Sequence, residues 1–333
     1  MAVYNGTNRS EIIRGSNFRD IIFGNGGNDD IYGRDGNDDL YGNAGNDHIF
    51  GGAGQDYIYG GPGVNNLWGD AGADRFIEQL NQNSFSDNWI GDFQFGIDRI
   101  DVSDWGVSDF SQLAALFRTD GRGDATLNAY YNGYDHFLTI ADVRASQLIS
   151  ADFIYDNSAA KTENGTRFDD VMFGSDFNDN LSGDTGDDIL LGGNGDDRLR
   201  GNGGDDELIG NAGGDTLTGG RGRDILTGDS GADTFDFNNI RDSRDGSTRD
   251  IITDFNRSND LIDLRGVDAD GTQGGNQAFD WIGSANFTAP GQLKFFYANG
   301  NTIIAGNTDG DSNPEFEIVL EGRYTPTQAD FIL

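Results

Sequence analysis

Fourteen aspartates recur at nine-residue spacing in two separate tracts of this chain. The first tract supplies Asp20, Asp29, Asp38, Asp47, Asp56 and Asp74. The second supplies Asp170, Asp179, Asp188, Asp197, Asp206, Asp215, Asp224 and Asp233. Each is the sixth residue of a unit that opens on glycine, as in GNGGNDDIY (Gly24 to Tyr32) and GGNGDDRLR (Gly192 to Arg200). A glycine-rich turn lets backbone carbonyls converge with no side chain in the way. Carboxylates added to those carbonyls make an all-oxygen cage that suits a large, hard cation of flexible coordination, calcium better than magnesium. Zinc or copper would require histidine or cysteine, and the chain has two His and no Cys. Two units depart from the pattern, with Glu11 and Asn65 in the sixth place, and weakened or vacant sites are expected there.

To act together, these carboxylates must be stacked. The eighth residue of every unit is apolar, from Ile13, Ile22 and Ile31 through Phe76 in the first tract and from Met172 and Leu181 through Phe235 in the second. One apolar residue between two variable ones fits a very short strand that points one side chain inward and two outward. Six residues then form the turn, two units make one coil, and units n and n+2 pair as parallel strands. The sixth residues thereby fall into columns. A constant offset of 159 residues carries Gly6 onto Gly165, Asp20 onto Asp179 and Phe76 onto Phe235, so a whole module is duplicated. Pairing each turn with its second neighbour gives up to about twelve shared ion sites in all. At a formal charge of −35, low hydrophobicity would by itself predict disorder, and about twelve divalent ions would leave a charge of about −11. Metal binding and folding are therefore expected to be one process.

Composition excludes several classes. Only two lysines are present, and the acidic balance offers no basic patch to nucleic acid or to an anionic membrane. No apolar stretch reaches the length of a membrane span, and the N-terminus lacks the character of a cleaved signal peptide. The absence of cysteine removes disulfides and thiol chemistry.

The tandem G-G-x-G-x-D-x-U-x units resemble those of RTX (repeats-in-toxin) proteins, a likeness that implies calcium-loaded parallel β-rolls. The segments after each block, IGDFQFGIDRIDV (Ile90 to Val102) and ITDFNRSNDLIDL (Ile252 to Leu264), are similar to the C-terminal domain of serralysin-type proteases and to the R-modules of alginate epimerases. The resemblance implies an all-β chain of two calcium-loaded parallel β-rolls, each followed by a β-rich cap. Module 1 is expected over 1–156, with repeats 6–77 and cap 78–155; module 2 over 157–333, with repeats 165–236 and cap 237–333. DNSAAKTE (Asp156 to Glu163) reads as the linker. The ending Asp330-Phe331-Ile332-Leu333 resembles the family's uncleaved type I secretion signal, with ADFIY (Ala151 to Tyr155) as an internal copy.

Catalytic signatures are missing from the sequence. There is no H-E-x-x-H zinc helix and no G-x-S-x-G elbow. His48 and His136 read as solvated or structural side chains. Aspartate pairs carry no weight for acid–base chemistry here, because the repeat already accounts for them. Three weaker signals remain. The ninth positions of the first block are Phe23, Tyr32, Tyr41, Phe50, Tyr59 and Trp68, which predicts an aromatic ladder on each outer face. Arg198, Arg200, Arg221 and Arg223 form a basic group in the second block, and NTDGDSNPE (Asn307 to Glu315) offers alternating oxygen ligands.

The function expected is that of a secreted, extracellular or cell-surface calcium-binding RTX protein, non-enzymatic, folding on extracellular calcium after passage through a type I secretion apparatus. A cell-surface, matrix or glycan partner is the expected setting, with neither nucleic acid nor a transmembrane segment involved. Alternative readings are a polysaccharide-binding module, or the export and folding part of a larger toxin, protease or adhesin system.

Overall fold

A computed structural model of the chain describes residues 1–80, 84–105, 107, 110–131, 134–155, 159–244, 246–271, 274–309 and 311–333. Two compact units are present, Met1–Asn157 and Ser158–Leu333. The start of the expected linker, 156–158, lies outside the described residues.

In unit 1 the units of nine alternate between two sheets. One sheet runs through Ala2–Asn5, Asp20–Phe23, Asp39–Tyr41, Tyr57–Tyr59 and Arg75–Ile77, all parallel, and continues into the cap through Arg99–Asp101 and Phe153–Ile154. The other runs through Ile12–Arg14, Asp30–Asp35, His48–Gly54, Gly63–Gly72 and Ser86–Ile90 to Tyr134–Ile140. It ends in antiparallel pairing with Ala125–Tyr131 and Arg118–Thr119, and a short helix, Phe110–Leu116, lies within the cap. Unit 2 repeats the plan. Its first sheet runs from Thr162–Asn164 to Phe331–Ile332, and its second runs from Val171–Phe173 through Asp250–Ile252 into the antiparallel strands Phe316–Leu320, Asn301–Asn307 and Gln292–Ala298.

The register explains the core. Ile22 lies beside Leu40, Leu40 beside Ile58 and Ile58 beside Phe76, while Ile31, Ile49 and Leu67 form the facing column. These eighth residues are fully buried, as are their counterparts from Leu181 to Phe235. Each such side chain removed from water contributes about 1.5–3 kcal/mol. The core is thus one residue wide per strand, and the cap closes it with Ile90, Ile100, Leu138 and Ile140 in unit 1 and with Ile252, Ile262, Ile318 and Leu320 in unit 2. Glycine is required at the fourth place of the turn: Gly36 has φ 130°, and a β-carbon there would strike the backbone of Phe18 and Arg19 one coil away.

The last strands of both caps are the duplicated D-F-I segments. Phe153–Ile154 pairs with Arg99–Asp101 and Phe331–Ile332 with Leu261–Asp263. Asp330 is buried; it accepts a hydrogen bond from the Thr327 amide and forms an ion pair with Arg257 at 3.1 Å.

Candidate metal centre

The sixth-position carboxylates are almost wholly inaccessible to solvent, from Asp20 at 0% to Asp179 at 3%. A buried carboxylate is costly unless its charge is met. One oxygen of each is met by the backbone. Oδ1 of Asp38 accepts the Asp20 amide at 2.7 Å, Oδ1 of Asp56 accepts the Asp38 amide at 2.8 Å, and Oδ1 of Asp74 accepts the Asp56 amide at 3.0 Å. The same step of 18 residues links Asp29 to Asp47 in unit 1. In unit 2 it links Asp170, Asp188, Asp206 and Asp224 in one column and Asp179, Asp197, Asp215 and Asp233 in the other.

The second oxygen is different. Among the described residues, Oδ2 of Asp29, Asp38, Asp47, Asp56, Asp74, Asp188, Asp197, Asp206, Asp215, Asp224 and Asp233 is buried with no hydrogen-bond partner. Around it the turn is open. A β-carbon added to Gly51 would lie 2.6 Å from Oδ2 of Asp56 and 2.8 Å from the carbonyl of Gly69, and at Gly24 the same test meets Gly42 O at 2.6 Å and Asp29 Oδ2 at 2.7 Å. Glycine thus leaves a small cradle bordered by a carboxylate and by a carbonyl from the next coil. Orphaned anionic oxygens, an all-oxygen lining and a space that one methyl would fill together suit a hard cation such as calcium. The residues that would hold it are the eleven aspartates just named.

Electrostatics agree. Burial, together with repulsion from the neighbouring aspartates and only partly offset by the amide hydrogen bond, pushes Asp38 and Asp47 up to about 6 and Asp56, Asp74, Asp188, Asp206 and Asp215 up to about 7. Asp197 is pushed to about 8 and Asp233 to about 6 for the same reasons. A cation would remove the cause of these shifts.

Three of the expected ligands, all in the opening coils, are engaged otherwise. Oδ2 of Asp20 accepts the amide and hydroxyl of Ser16, that of Asp170 the amide and hydroxyl of Thr166, and that of Asp179 the amide and hydroxyl of Ser175. Burial would raise Asp20, but the hydrogen bonds from Ser16 and Ala2 outweigh it and hold the carboxyl below its ordinary value. Glu11 is likewise held by Thr7. At Asn65 the side-chain amide donates to Gly61 O at 2.8 Å and to Asn88 Oδ1 at 2.9 Å, placing a donor where other turns have an acceptor. Sequence spacing missed three further aspartates, Asp98, Asp250 and Asp260, which accept the amides of Asp74, Asp224 and Asp233 and so continue the columns into the caps.

The sequence pattern of the RTX calcium-binding nonapeptide repeat matches residues 5–40 and 41–76, and that of the peptidase M10 serralysin C-terminal domain matches residues 179–333. Residues 5–76 are RTX calcium-binding nonapeptide repeats. Neither matched pattern is that of a catalytic domain. Two solution structures from the Azotobacter vinelandii mannuronan C5-epimerase are similar to parts of this chain. The AlgE6R3 subunit is 24% identical over 53% of this chain and 80% of its own, with a TM-score of 0.25. The AlgE6R2 subunit is 26% identical over 48% of this chain and 91% of its own, with a TM-score of 0.26. No curated protein sequence matches the chain.

The remaining sequence signals have definite positions. His48 is exposed, whereas His136 is buried with Nδ1 2.8 Å from the Ser86 hydroxyl. In the RTX block of unit 1 the ninth-position rings stack on one another: Phe23 on Tyr41 at 5.0 Å in one sheet, and Tyr32 on Phe50 at 5.0 Å and Phe50 on Trp68 at 4.5 Å in the other. Arg14 covers the outer face of this second column at Tyr32, and Trp89 abuts Trp68 edge-on. The ring faces are therefore turned to each other, and edges are presented outward. Asp309, Asp311 and Glu315 bring carboxylate oxygens within 4.8 Å of one another at the surface of the unit 2 cap. No helix among the described residues is long and apolar enough to cross a membrane.

Proposed function

We propose that this chain is a non-enzymatic, secreted calcium-binding protein of the extracellular space or cell surface, whose two modules fold when calcium fills the aspartate columns. The observation that carries this reading is the set of buried Oδ2 atoms left without partners while their sister oxygens are hydrogen-bonded. A backbone that fixes one oxygen of each carboxylate and leaves the other facing a glycine cradle is arranged for an external cation. At −35 the chain resists compaction until that charge is neutralised. Extracellular calcium modules bind in the range of about 10⁻⁴ to 10⁻³ M. Such affinity keeps the chain unfolded, and threadable by a type I secretion apparatus, in calcium-poor cytoplasm and folds it outside.

The test is a calcium titration of metal-free protein followed by far-ultraviolet circular dichroism and hydrodynamic radius, with magnesium as control. A cooperative gain of β-structure and compaction with calcium alone is the expected result. A chain already compact without metal at neutral pH would refute the reading.

A second reading, a polysaccharide-binding role, is favoured by one feature of unit 2. A polar groove on the outer face of its first sheet is lined by Ser182, Arg200, Asn202, Thr218 and Arg221, with Arg198 alongside. Hydroxyls, amides and guanidinium groups across three neighbouring strands can bind a glycan, with Arg200 and Arg221 meeting an acid group and the carboxylates of Asp184 and Asp242 in the same groove meeting hydroxyls. Binding of an acidic oligosaccharide that is lost in Arg198→Ala with Arg200→Ala would support it.

A further inference from the structure

The two units differ at one equivalent point. In each, a column of sixth-position residues runs toward the cap, as Glu11, Asp29, Asp47 and Asn65 in unit 1 and as Asp170, Asp188, Asp206 and Asp224 in unit 2. The next strand comes from the cap, not from a nonapeptide. In unit 1 it is Ser86–Ile90, with Asn88 opposite Asn65. In unit 2 it is Asp250–Ile252, whose register sets Ile251 opposite Ile225 and so brings Asp250 beside Asp224.

Asp250 is held from both sides. Its amide donates to the Ser243 hydroxyl at 2.8 Å, that hydroxyl donates to the Glu317 carbonyl, and its Oδ1 accepts the Asp224 amide at 3.0 Å. The residue is 0% exposed, yet Oδ2 has no partner, and the same is true of Oδ2 of Asp224 and of Asp206 below it. Asp242, buried nearby, adds a fourth carboxylate, its Oδ2 occupied by the amides of Asn238 and Asn239. Burial and the charge of its neighbours raise Asp250 strongly, and Asp224 with it. Among the described residues no arginine or lysine forms an ion pair with Asp224 or Asp250. Two fixed, solvent-free carboxylates side by side without a counter-charge must take up a proton or a cation, and Oδ2 of each is free to receive it.

Unit 1 shows the neutral solution. The Asn65 side-chain amide donates to Asn88 Oδ1 at 2.9 Å, and the Asn88 amide donates to Glu78 Oε2 at 2.7 Å. Amide hydrogens there fill the gap that in unit 2 lies between carboxylate oxygens. Glu78 is buried beside this pair, with Oε2 bonded to the Asn88 amide and Oε1 without a partner, so unit 1 has a single carboxylate here where unit 2 sets Asp224 and Asp250 side by side.

We propose that unit 2 binds a divalent cation of the calcium class at the junction of roll and cap, with Oδ2 of Asp224 and of Asp250 among its donors, and that unit 1 replaces this ion with the Asn65–Asn88 amide pair. Asp250 lies outside the nonapeptides, so repeat counting does not reveal the site. The inference rests on the calcium reading of the repeats.

The experiment counts calcium ions on the full-length chain by native mass spectrometry at saturating calcium, with isothermal titration alongside. Asp250→Asn keeps the Oδ1 acceptor for the Asp224 amide and is expected to bind one ion fewer. Asn65→Asp with Asn88→Asp is expected to bind one ion more. A folded Asp250→Asn chain with the wild-type count and affinity overturns the proposal. If Asp250→Asn does not fold, the double substitution decides, and an unchanged count overturns it equally. A wild-type chain that binds no calcium at all would instead overturn the reading of the repeats themselves, and this site with it.

Discussion

The main-chain amide of Asp38 donates to Oδ1 of Asp56 at 2.8 Å, while Oδ2 of the same Asp56 carboxylate is buried and has no partner. The asymmetry between these two oxygens gives each column a structural side and an ion-binding side, and the two can be perturbed separately.

Protons and calcium should compete for the second side. The folded-state values of Asp38 to Asp74 and Asp188 to Asp233 lie near 6 to 8, above the unfolded value near 3.9. For a carboxylate raised by folding, the stabilising effect is fully present below the unfolded value and is lost as pH rises through the folded one. Metal-free protein is therefore expected to be more compact at pH 4 than at pH 8, with the loss spread over about pH 4 to 8. In calcium the dependence reverses: as pH falls toward the unfolded value near 3.9, protons occupy the carboxylates of the unfolded chain and the calcium midpoint should rise. Calcium titrations followed by circular dichroism at pH 4, 5 and 7 check the sign, and a midpoint independent of pH would contradict it.

Asp56→Asn and Asp56→Ala should separate the two oxygens. The amide substitution keeps an acceptor for Asp38 and removes the charge, so its calcium midpoint should rise several-fold with little other cost. Alanine also leaves a buried amide unpaired, a further penalty of about 1–3 kcal/mol. Denaturant melts at saturating calcium would show the second variant less stable than the first by that amount.

Gly51→Ala tests the cradle without touching a charge. Its methyl would stand 2.6 Å from Asp56 Oδ2 and 2.8 Å from Gly69 O, in the space a cation would use. Weakened calcium binding at unchanged net charge is expected by titration calorimetry. An unchanged midpoint would place the ion elsewhere.

Trp68→Ala removes a ring that stacks on Phe50 at 4.5 Å and meets Trp89 at 5.5 Å. Aromatic pairs contribute about 0.5–1.5 kcal/mol beyond the area they bury. The calcium-loaded protein should melt at lower temperature with its ion count unchanged, which distinguishes a stabilising ladder from a metal-linked one.

Much of this was legible in the sequence because the repeat is a ruler. Glycine at the first place, aspartate at the sixth and an aliphatic at the eighth fix the turn, the column and the core, and Leu40, Ile58 and Asp56 lie where that spacing sets them. The ruler fails where the spacing changes. Asp98 accepts the amide of Asp74 from 24 residues away and Asp250 that of Asp224 from 26, steps that no nine-residue count reaches. It also fails where a hydroxyl substitutes for glycine: Ser16, Thr166 and Ser175 occupy the variable second place, and only the folded turn shows them bonded to the aspartates four residues on. Glu78 and Asn88 were illegible for another reason. A buried carboxylic acid bonded to an amide reads, in one dimension, as ordinary surface polarity.

The 18-residue step between coils has a kinetic consequence. Each new coil closes a loop of the same short length, at an entropic cost of about 2.6 kcal/mol plus a constant, and its contacts are all with the coil before it. Such a chain has no distant partner to find until it reaches the caps, where Asp250 must meet Ile318 and Ile262 must meet Phe331. Folding of the rolls is then a zipper that can start at any completed coil and advance one turn at a time. A chain delivered end-first through a narrow passage could use each arriving turn at once, so that its own closure draws the rest through.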